Sequence, residues 1–447
     1  VASSWKIRHG SLTDVGVKRS HNQDACAVQP AADEAMWQLF GHIFIVADGM
    51  GGHAVGEKAS AMAVRSIPLI YQKHVQTEGV VTAINRAFEE TNSAIYEIGK
   101  NNPEFKGLGT TSTALFLRPD GAWFGHVGDS RAYRIRKGKV EQLTFDHSWV
   151  WEVARRQGID PDELGDFKKN VIIRSLGPDE TVEVDIEGPH PAEPGDVFLL
   201  CSDGLSNLVP PDEIGAVVAA LPPSEACQFL VELANFRGGP DNITCLIVQV
   251  PVPGQDVGND VKGKKRSGGG FAGKVNRALP WPFLALGVGS IATLASVYLR
   301  ANELSGSIPL FLLAAVGIVT GLVGLFVHLK KSAASAPAEP DATFELRVYK
   351  SYTVDSVKPI YDRFDATETE LKATLKERDT PLDWTTYEKL SAEAVAKFSR
   401  NEFLPAFRSK CLGFQILAAA ANKDRNKEEA FQPNWTASAA SKAPLGS

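Results

Sequence analysis

Five aspartates stand where apolar runs stop or start: Asp24 in RSHNQDACAV, Asp48 in FIVADGMGG, Asp129 in GHVGDSRAY, Asp203 in DVFLLCSDGL and Asp241 in GGPDNITCLIVQV. Gathered in one cleft, such carboxylates repel one another and some take up protons. Divalent cations remove that penalty. An all-oxygen donor set without paired His or Cys selects Mg2+ or Mn2+ over zinc. Gly49, directly after Asp48, would let a backbone carbonyl approach the same ion. A single Asp before Gly at a strand end is ordinarily a turn former or helix cap. Two Asp-Gly pairs that each close an apolar strand, with three further acids in similar settings, favour a shared site.

The stretch FIVADGMGGHAVGEKAS admits a second chemistry, a phosphate cradle. Gly49, Gly51 and Ala54 fit the loose G-x-G-x-x-[GA] pattern of dinucleotide-binding turns. That pattern also needs an acid at the end of a second strand about 20 residues on. The region there reads IYQKHVQTEG, the tail of a helix, and Glu78 is badly placed. A P-loop needs adjacent Gly-Lys-Ser/Thr, which GHAVGEKAS lacks.

The elements around the acids favour the metal. Residues 1–250 read as one α+β unit, with short β-rich runs bounded by Gly, Pro or Asp: DACAV, HIFIVAD, TSTALFL, AWFGHVGDSRAYRIR, DVFLLCSDG and ITCLIVQV. Helical patterns come in pairs: EKASAMAVRSIPLIYQKH with GVVTAINRAFEETNSAIYEIGK, and DEIGAVVAAL with SEACQFLVELANF. Strands follow one another directly, and Lys137-Gly138 reads as a hairpin turn. A largely antiparallel sheet with helices grouped outside it is expected. A dinucleotide fold wants strands alternating with helices.

Composition bounds the rest. The 447 residues carry 47 basic and 53 acidic side chains, a net charge of −6, too mild for nucleic acid as a general partner. Cys26, Cys201, Cys227, Cys245 and Cys411 show no CxxC spacing, so they read as buried thiols in a reducing compartment. VASSWKIRHG is too polar for a signal peptide.

Residues 251–277 form a Gly- and Lys-rich linker. Two uncharged apolar runs follow within residues 278–330, Leu279 to Leu299 and Pro309 to Leu329. Each reaches the roughly 20 residues that span a bilayer core. RANELSGSI joins them, so a two-helix transmembrane hairpin is expected. Lysines and arginines crowd the outer flanks, which places both flanking regions in the cytoplasm and the protein in the cell membrane. Residues 343–430 read as a small, mostly helical cytoplasmic region without a chemical constellation, in which FELRVY alternates like a strand. Residues 431–447 read as a disordered tail, and the NWT sequon at Asn434 as a chance match in that compartment.

Taken in order, RSHNQD (19–24), VADGMGGHAVGEKAS (46–60), GTTSTAL (109–115), GHVGDSRAY (125–133), DHS (146–148), SLG (175–177), CSDGL (201–205) and GGPDNIT (238–244) closely resemble the metal-dependent protein phosphatase 2C family in its bacterial form. The resemblance implies an αββα sandwich of two antiparallel sheets with a metal site at one edge. It implies hydrolysis of phosphoserine and phosphothreonine in proteins. By position, Asp48 would bridge two metals and Gly49 would add its carbonyl. Asp203 and Asp241 would hold the first metal, Asp24 the second, and Asp129 with Asp203 a weaker third. Arg19 matches the family's phosphate-binding arginine, and a planar guanidinium suits two phosphate oxygens.

Two such Mn2+ or Mg2+ ions would activate a water for in-line attack, with no phosphoenzyme. Eukaryotic relatives place a histidine where this chain has Met50, which leaves His53 as the local candidate for protonating the leaving alkoxide. DHS puts His147 at the entrance to a flap, residues 148–170, where packing or loop hydrogen bonding is its expected role. In the flap, Trp149, Trp151, Arg155 and Arg156 could touch substrate, with packing favoured for the tryptophans. The favoured reading is a membrane-tethered cytoplasmic phosphatase acting on phosphoproteins and opposing Ser/Thr kinases. The alternatives are a phosphatase-like sensor or binding module with little catalysis and, more remotely, a dinucleotide enzyme.

Overall fold

The computed structural model describes residues 6–51, 55–164, 171–252, 347–354 and 356–430. The first half runs β1 (Arg8–Asp14), β2 (Asp24–Gln29), α1 (Glu34–Phe40), β3 (His42–Met50), α2 (Val55–Glu78), α3 (Val80–Asn101), β4 (Gly109–Thr110), β5 (Ser112–Arg118), β6 (Gly121–Val127), β7 (Arg131–Arg136), β8 (Lys139–Gln142) and α4 (Trp149–Gln157). A 3-10 turn at Pro161–Leu164 follows. Then come β9 (Asp185–His190), β10 (Val197–Cys201), the short α5 (Asp203–Ser206), α6 (Pro211–Ala220), α7 (Pro223–Phe236) and β11 (Ile243–Gln249). The C-terminal part adds β12 (Lys350–Thr353), α8 (Lys358–Glu377), α9 (Trp384–Ser399) and α10 (Phe403–Ala430).

The strands build two antiparallel sheets, in the orders β1-β11-β10-β7-β8-β12 and β2-β3-β5-β6-β9, with β4 added beside β3. The apolar run of β3 is continuous because both of its faces are covered. Ile43, Ile45 and Ala47 pack against α2 and α3, while Phe44 and Val46 join Phe198, Leu200, Leu246 and Val248 between the sheets. Helix α3 buries Val80, Ala83, Ile84, Ala87, Phe88, Thr91 and Ile95, the single stripe that a 3.6-residue period produces. On the far side, α6 and α7 cover the outward residues Leu199, Cys201, Cys245 and Ile247. The αββα layering expected from the sequence is therefore present. The β7–β8 hairpin turns through Lys137 and Gly138, both at positive φ (49° and 79°), as a two-residue I′ turn requires.

The C-terminal part belongs to the same compact unit as the N-terminal half. Phe364, Phe407 and Phe414 pack on Phe229 of α7 in one continuous apolar cluster. Burial of each such ring contributes about 1.5–3 kcal/mol. The long helical pattern after Tyr387 breaks in two at Arg400–Glu402, where Asn401 adopts φ 61°. Of the stretch FELRVY, expected as a strand, residues 344–346 lie outside the described residues; 347–349 are not strand, Tyr349 packs its ring onto Phe145 and its hydroxyl meets Glu187, and β12 follows at Lys350–Thr353. From residue 253 on, the proposed linker lies outside the described residues, as do both apolar runs and the tail from 431. Among the described residues no helix is long and apolar enough to cross a membrane.

Candidate active site

Strand parity decides where the acids point. Asp48 shares the face of Phe44 and Val46, toward the opposing sheet, and Asp24 sits directly across the ladder from it. Directly opposed residues on one face have Cβ atoms about 5 Å apart, so two carboxylates meet there. In the other sheet, Cys201 pairs with Cys245. The end of β10 and the start of β11 therefore lie together, which brings Asp203 and Asp241 to the same rim. Asp129 follows β6 through Gly128, whose φ of 117° turns the chain sharply.

Contacts across the sheets fix these positions. Asp24 Oδ2 accepts hydrogen bonds from Ser202 Oγ (2.7 Å) and Thr244 Oγ1 (2.6 Å), which tie the first sheet to the second. Asp203 lies close enough to Asp48 for its charge to help raise the Asp48 carboxyl, after burial and Asp24. The backbone of Asp48 is held by Thr111, whose Oγ1 accepts from Asp48 N at 2.8 Å, and by Thr110, whose Oγ1 donates to Asp48 O at 2.9 Å. Thr111 Oγ1 also meets Ser130 Oγ at 2.9 Å, which links the Asp48 tip to the Asp129 turn. Asn242 accepts from Gln23 N at 2.8 Å and donates to the carbonyls of Val15 (2.8 Å) and His21 (2.9 Å), anchoring the loop that carries Arg19.

Ser202, Thr244, Asn242, Thr110 and Thr111 are further site residues that the sequence does not single out. Ser202, Asn242 and Thr244 stand beside or near Asp203 and Asp241 in the chain, an available signal, whereas Thr110 and Thr111 reach Asp48 only through the fold.

Gly49 has a role beyond a carbonyl. A Cβ there would meet Gly56 O at 2.2 Å, and one on Gly56 would meet Gly49 C at 2.6 Å. The strand tip and the first turn of α2 pass so closely that both positions exclude a side chain.

The electrostatics match a cation site. Burial first, then Asp203 and Asp241, push the Asp24 carboxyl up to about 7 against its two hydroxyl donors. Burial and Asp241 raise Asp203 to about 6. Asp48 and Asp129 are driven well above the carboxylate range, again by burial first and then by neighbouring aspartates. Oδ1 of Asp24, of Asp129 and of Asp203 are all buried without a donor among the described residues. Three unsatisfied carboxylate oxygens on one rim are hard donors suited to Mn2+ or Mg2+. As placed, the acids adjoin without closing a cage: among the described residues no group of three or more His, Cys, Asp or Glu is gathered around an ion position. Asp241 is one reason, since its Oδ2 takes Arg19 Nη2 at 2.8 Å and its Oδ1 takes Asn242 N at 2.8 Å.

The remaining candidates divide clearly. Arg19 stands at the rim with its side chain half exposed. His53 lies outside the described residues. His147 is buried, with Nδ1 accepting from Gly128 N at 3.0 Å and Nε2 facing Asp185 Oδ2 at 3.0 Å. That assigns the ring proton to Nε2 and makes His147 a prop for the Asp129 turn. Arg155 and Arg156 both pair with Glu152 on their own helix. Trp149 is partly exposed, while Trp151 is buried and packs edge-on against Phe145 at 5.2 Å. Trp151, Ser148, Pro161 and Asp162 of the flap wall a cavity of about 430 Å³ that reaches Asp129 and Asp203.

Comparison with known proteins gives consistent matches. The family profile described as protein phosphatase 2C matches residues 17–230. The serine/threonine phosphatase stp of Listeria innocua is 36% identical over 242 residues, 53% of this chain and 93% of the relative. Protein phosphatase PhpP of Streptococcus pneumoniae is 36% identical over 246 residues, 54% of this chain and 96% of the relative. Among solved structures, the S. agalactiae serine/threonine phosphatase matches with TM-score 0.50 and 36% identity, covering 55% of this chain and all of that one (100%).

Proposed function

The chain belongs to the protein phosphatase 2C family of serine/threonine phosphatases, and from that premise we propose that it hydrolyses phosphoserine and phosphothreonine in proteins with Mn2+ or Mg2+ held by its rim of aspartates. The observation that carries this reading is the set of donorless buried oxygens on Asp24, Asp129 and Asp203, which adjoin Asp48 and Asp241. Asp48, Asp203 and Asp241 would hold the first cation, Asp24 with Asp48 the second, and Asp129 with Asp203 a third, with the Gly49 carbonyl as a further donor beside Asp48. When bound, the cations supply the Lewis acidity that activates water and offsets phosphate charge.

The chain's own groups do the rest. Arg19, at the rim beside Asp241, presents a planar guanidinium to two phosphoryl oxygens. Ser202 and Thr244 orient Asp24, and Thr110 and Thr111 hold the tip that carries Asp48. His53 is the group assigned to protonate the departing serine or threonine oxygen.

Tethering to the membrane is part of the proposal. The apolar runs Leu279–Leu299 and Pro309–Leu329 would form a hairpin. What supports a hairpin over a single span is the sheet itself. Gln249 on β11 and Lys350 on β12 belong to one six-stranded sheet, so the chain must return to the side it left. An even number of crossings satisfies that condition. Opposition to Ser/Thr kinases at the same membrane completes the reading. Phosphate release from p-nitrophenyl phosphate with Mn2+ tests the chemistry: Asp48→Ala and Asp203→Ala should abolish it, and full activity in excess chelator would overturn it. Cells carrying Asp203→Ala should accumulate phosphoserine or phosphothreonine sites, and an unchanged phosphoproteome would remove the assignment to proteins.

A further inference from the structure

The relatives above are covered almost end to end by about half of this chain, so the segment that follows the apolar runs has no counterpart in them. That segment nevertheless reaches the catalytic cavity. Strand β12 pairs with β8, with Lys350 opposite Gln142 and Tyr352 opposite Val140, and so covers the sheet edge from which the chain runs into the flap. Lys350 is largely buried. Its Nζ lies 2.8 Å from Asp160 Oδ1 and 2.7 Å from Asp162 Oδ2, the residues that open the 3-10 turn of the flap. The same ammonium stands 5.3 Å from the ring centre of Trp151. Tyr349 adds a hydroxyl contact to Glu187 and packs its ring 5.6 Å from Phe145, which itself abuts Trp151. Asp162 and Trp151 are walls of the cavity that ends at Asp129 and Asp203.

We propose that Lys350 is a positioning residue for substrate: through Asp160, Asp162 and Trp151 the C-terminal segment holds the flap in the place that shapes the cavity for the polypeptide around the phosphorylated residue. The physical basis is local. An exposed 3-10 turn carrying adjacent acids has little packing of its own, and one largely buried cation that joins both acids supplies the missing restraint. Lys350 touches neither the metal donors nor Arg19, so it governs how well a protein substrate sits and leaves the hydrolytic step alone. Small phosphate esters, which occupy only the rim, are indifferent to it.

The kinetic arm of the test rests on the phosphatase reading; a second arm does not. In the full 447-residue chain, Lys350→Met keeps the aliphatic stem against Trp151 and removes the charge, while Lys350→Arg keeps the charge. Amide hydrogen exchange over Trp149–Leu164 should accelerate at least several-fold in Lys350→Met and return toward the parent in Lys350→Arg. KM for a phosphothreonine peptide should rise about 3–10-fold in Lys350→Met with kcat within twofold, and kinetics on p-nitrophenyl phosphate should not change. If Lys350→Met does not fold, Asp160→Asn, at a residue outside the cavity wall, weakens the same link from the flap side and should speed flap exchange and raise the peptide KM in the same direction. Unchanged flap exchange overturns the proposal whatever the activity. Faster exchange with an unchanged peptide KM, or an equal loss of kcat on both substrates, overturns the role in substrate positioning.

Discussion

Arg19 and Asp241, 222 residues apart in sequence, meet at the rim with Nη2 2.8 Å from Oδ2. The pair joins the group assigned to phosphate with a group assigned to metal. The Arg19 side chain is half exposed, so the contact adds little to stability, and its value lies in aim. Replacing Arg19 with Ala should lower kcat/KM on phosphopeptide by about 10–100-fold, the equivalent of 1.5–3 kcal/mol for charge-assisted hydrogen bonds. Lys at this position should recover only part, because an ammonium cannot take two oxygens in a plane. Steady-state kinetics of both variants with thermal melts alongside check it: melting should barely move.

The pH dependence of stability has a defined sign. In chelator, the folded carboxyl of Asp24 titrates near 7 and that of Asp203 near 6, both above the ordinary range near 4, chiefly through burial. Below pH 4 folded and unfolded chains hold the same protons at these groups. Between about pH 4 and 7 the folded chain binds more, so stability falls as pH rises through that window. The melting temperature in chelator should therefore drop between pH 5 and pH 8, the change should be smaller in Asp24→Asn, and Mn2+ should restore most of it at pH 8. A melting temperature that climbs with pH across this range contradicts the assignment.

Gly49→Ala and Gly56→Ala each drive a Cβ into backbone at 2.2 Å and 2.6 Å. Neither neighbour is a flexible side-chain end, so the crossing must open. Each change should destabilise by about 1–3 kcal/mol or more and should disturb the Asp48 tip directly. Chemical denaturation should show the loss, and Mn2+ affinity by calorimetry should weaken in parallel.

His53 can be tested through the leaving group. A phenolate such as p-nitrophenolate departs without help, whereas a serine alkoxide needs a proton. His53→Gln should reduce kcat on a phosphoserine peptide by about 10²-fold or more and should change p-nitrophenyl phosphate hydrolysis by less than tenfold. Equal losses on both substrates would point to a structural or metal-related role.

Much of this architecture was readable in the chain. Asp48 and Asp203 close long apolar runs, and a strand buried on both faces produces such a run whatever its partners. The helical stripe of α3 and the Lys137-Gly138 turn are local and were visible for that reason. What stayed hidden depends on contacts between distant segments. Nothing near Asp24 indicates that Ser202 and Thr244, 178 and 220 residues away, would become its hydrogen-bond donors. The apolar face of α8 finds its partner only across the intervening chain, where Phe364 meets Phe229. No motif marks Lys350, because the acids it joins lie 190 and 188 residues upstream.

The most direct test is phosphate release from a phosphothreonine peptide by the full chain as Mn2+ is titrated, for the parent and for Asp48→Asn. Turnover should rise saturably with Mn2+, vanish in chelator, and fall by at least about 10³-fold in Asp48→Asn with the fold intact by circular dichroism. Turnover that persists without divalent metal, or survives in Asp48→Asn at the parental rate, would contradict the metal mechanism.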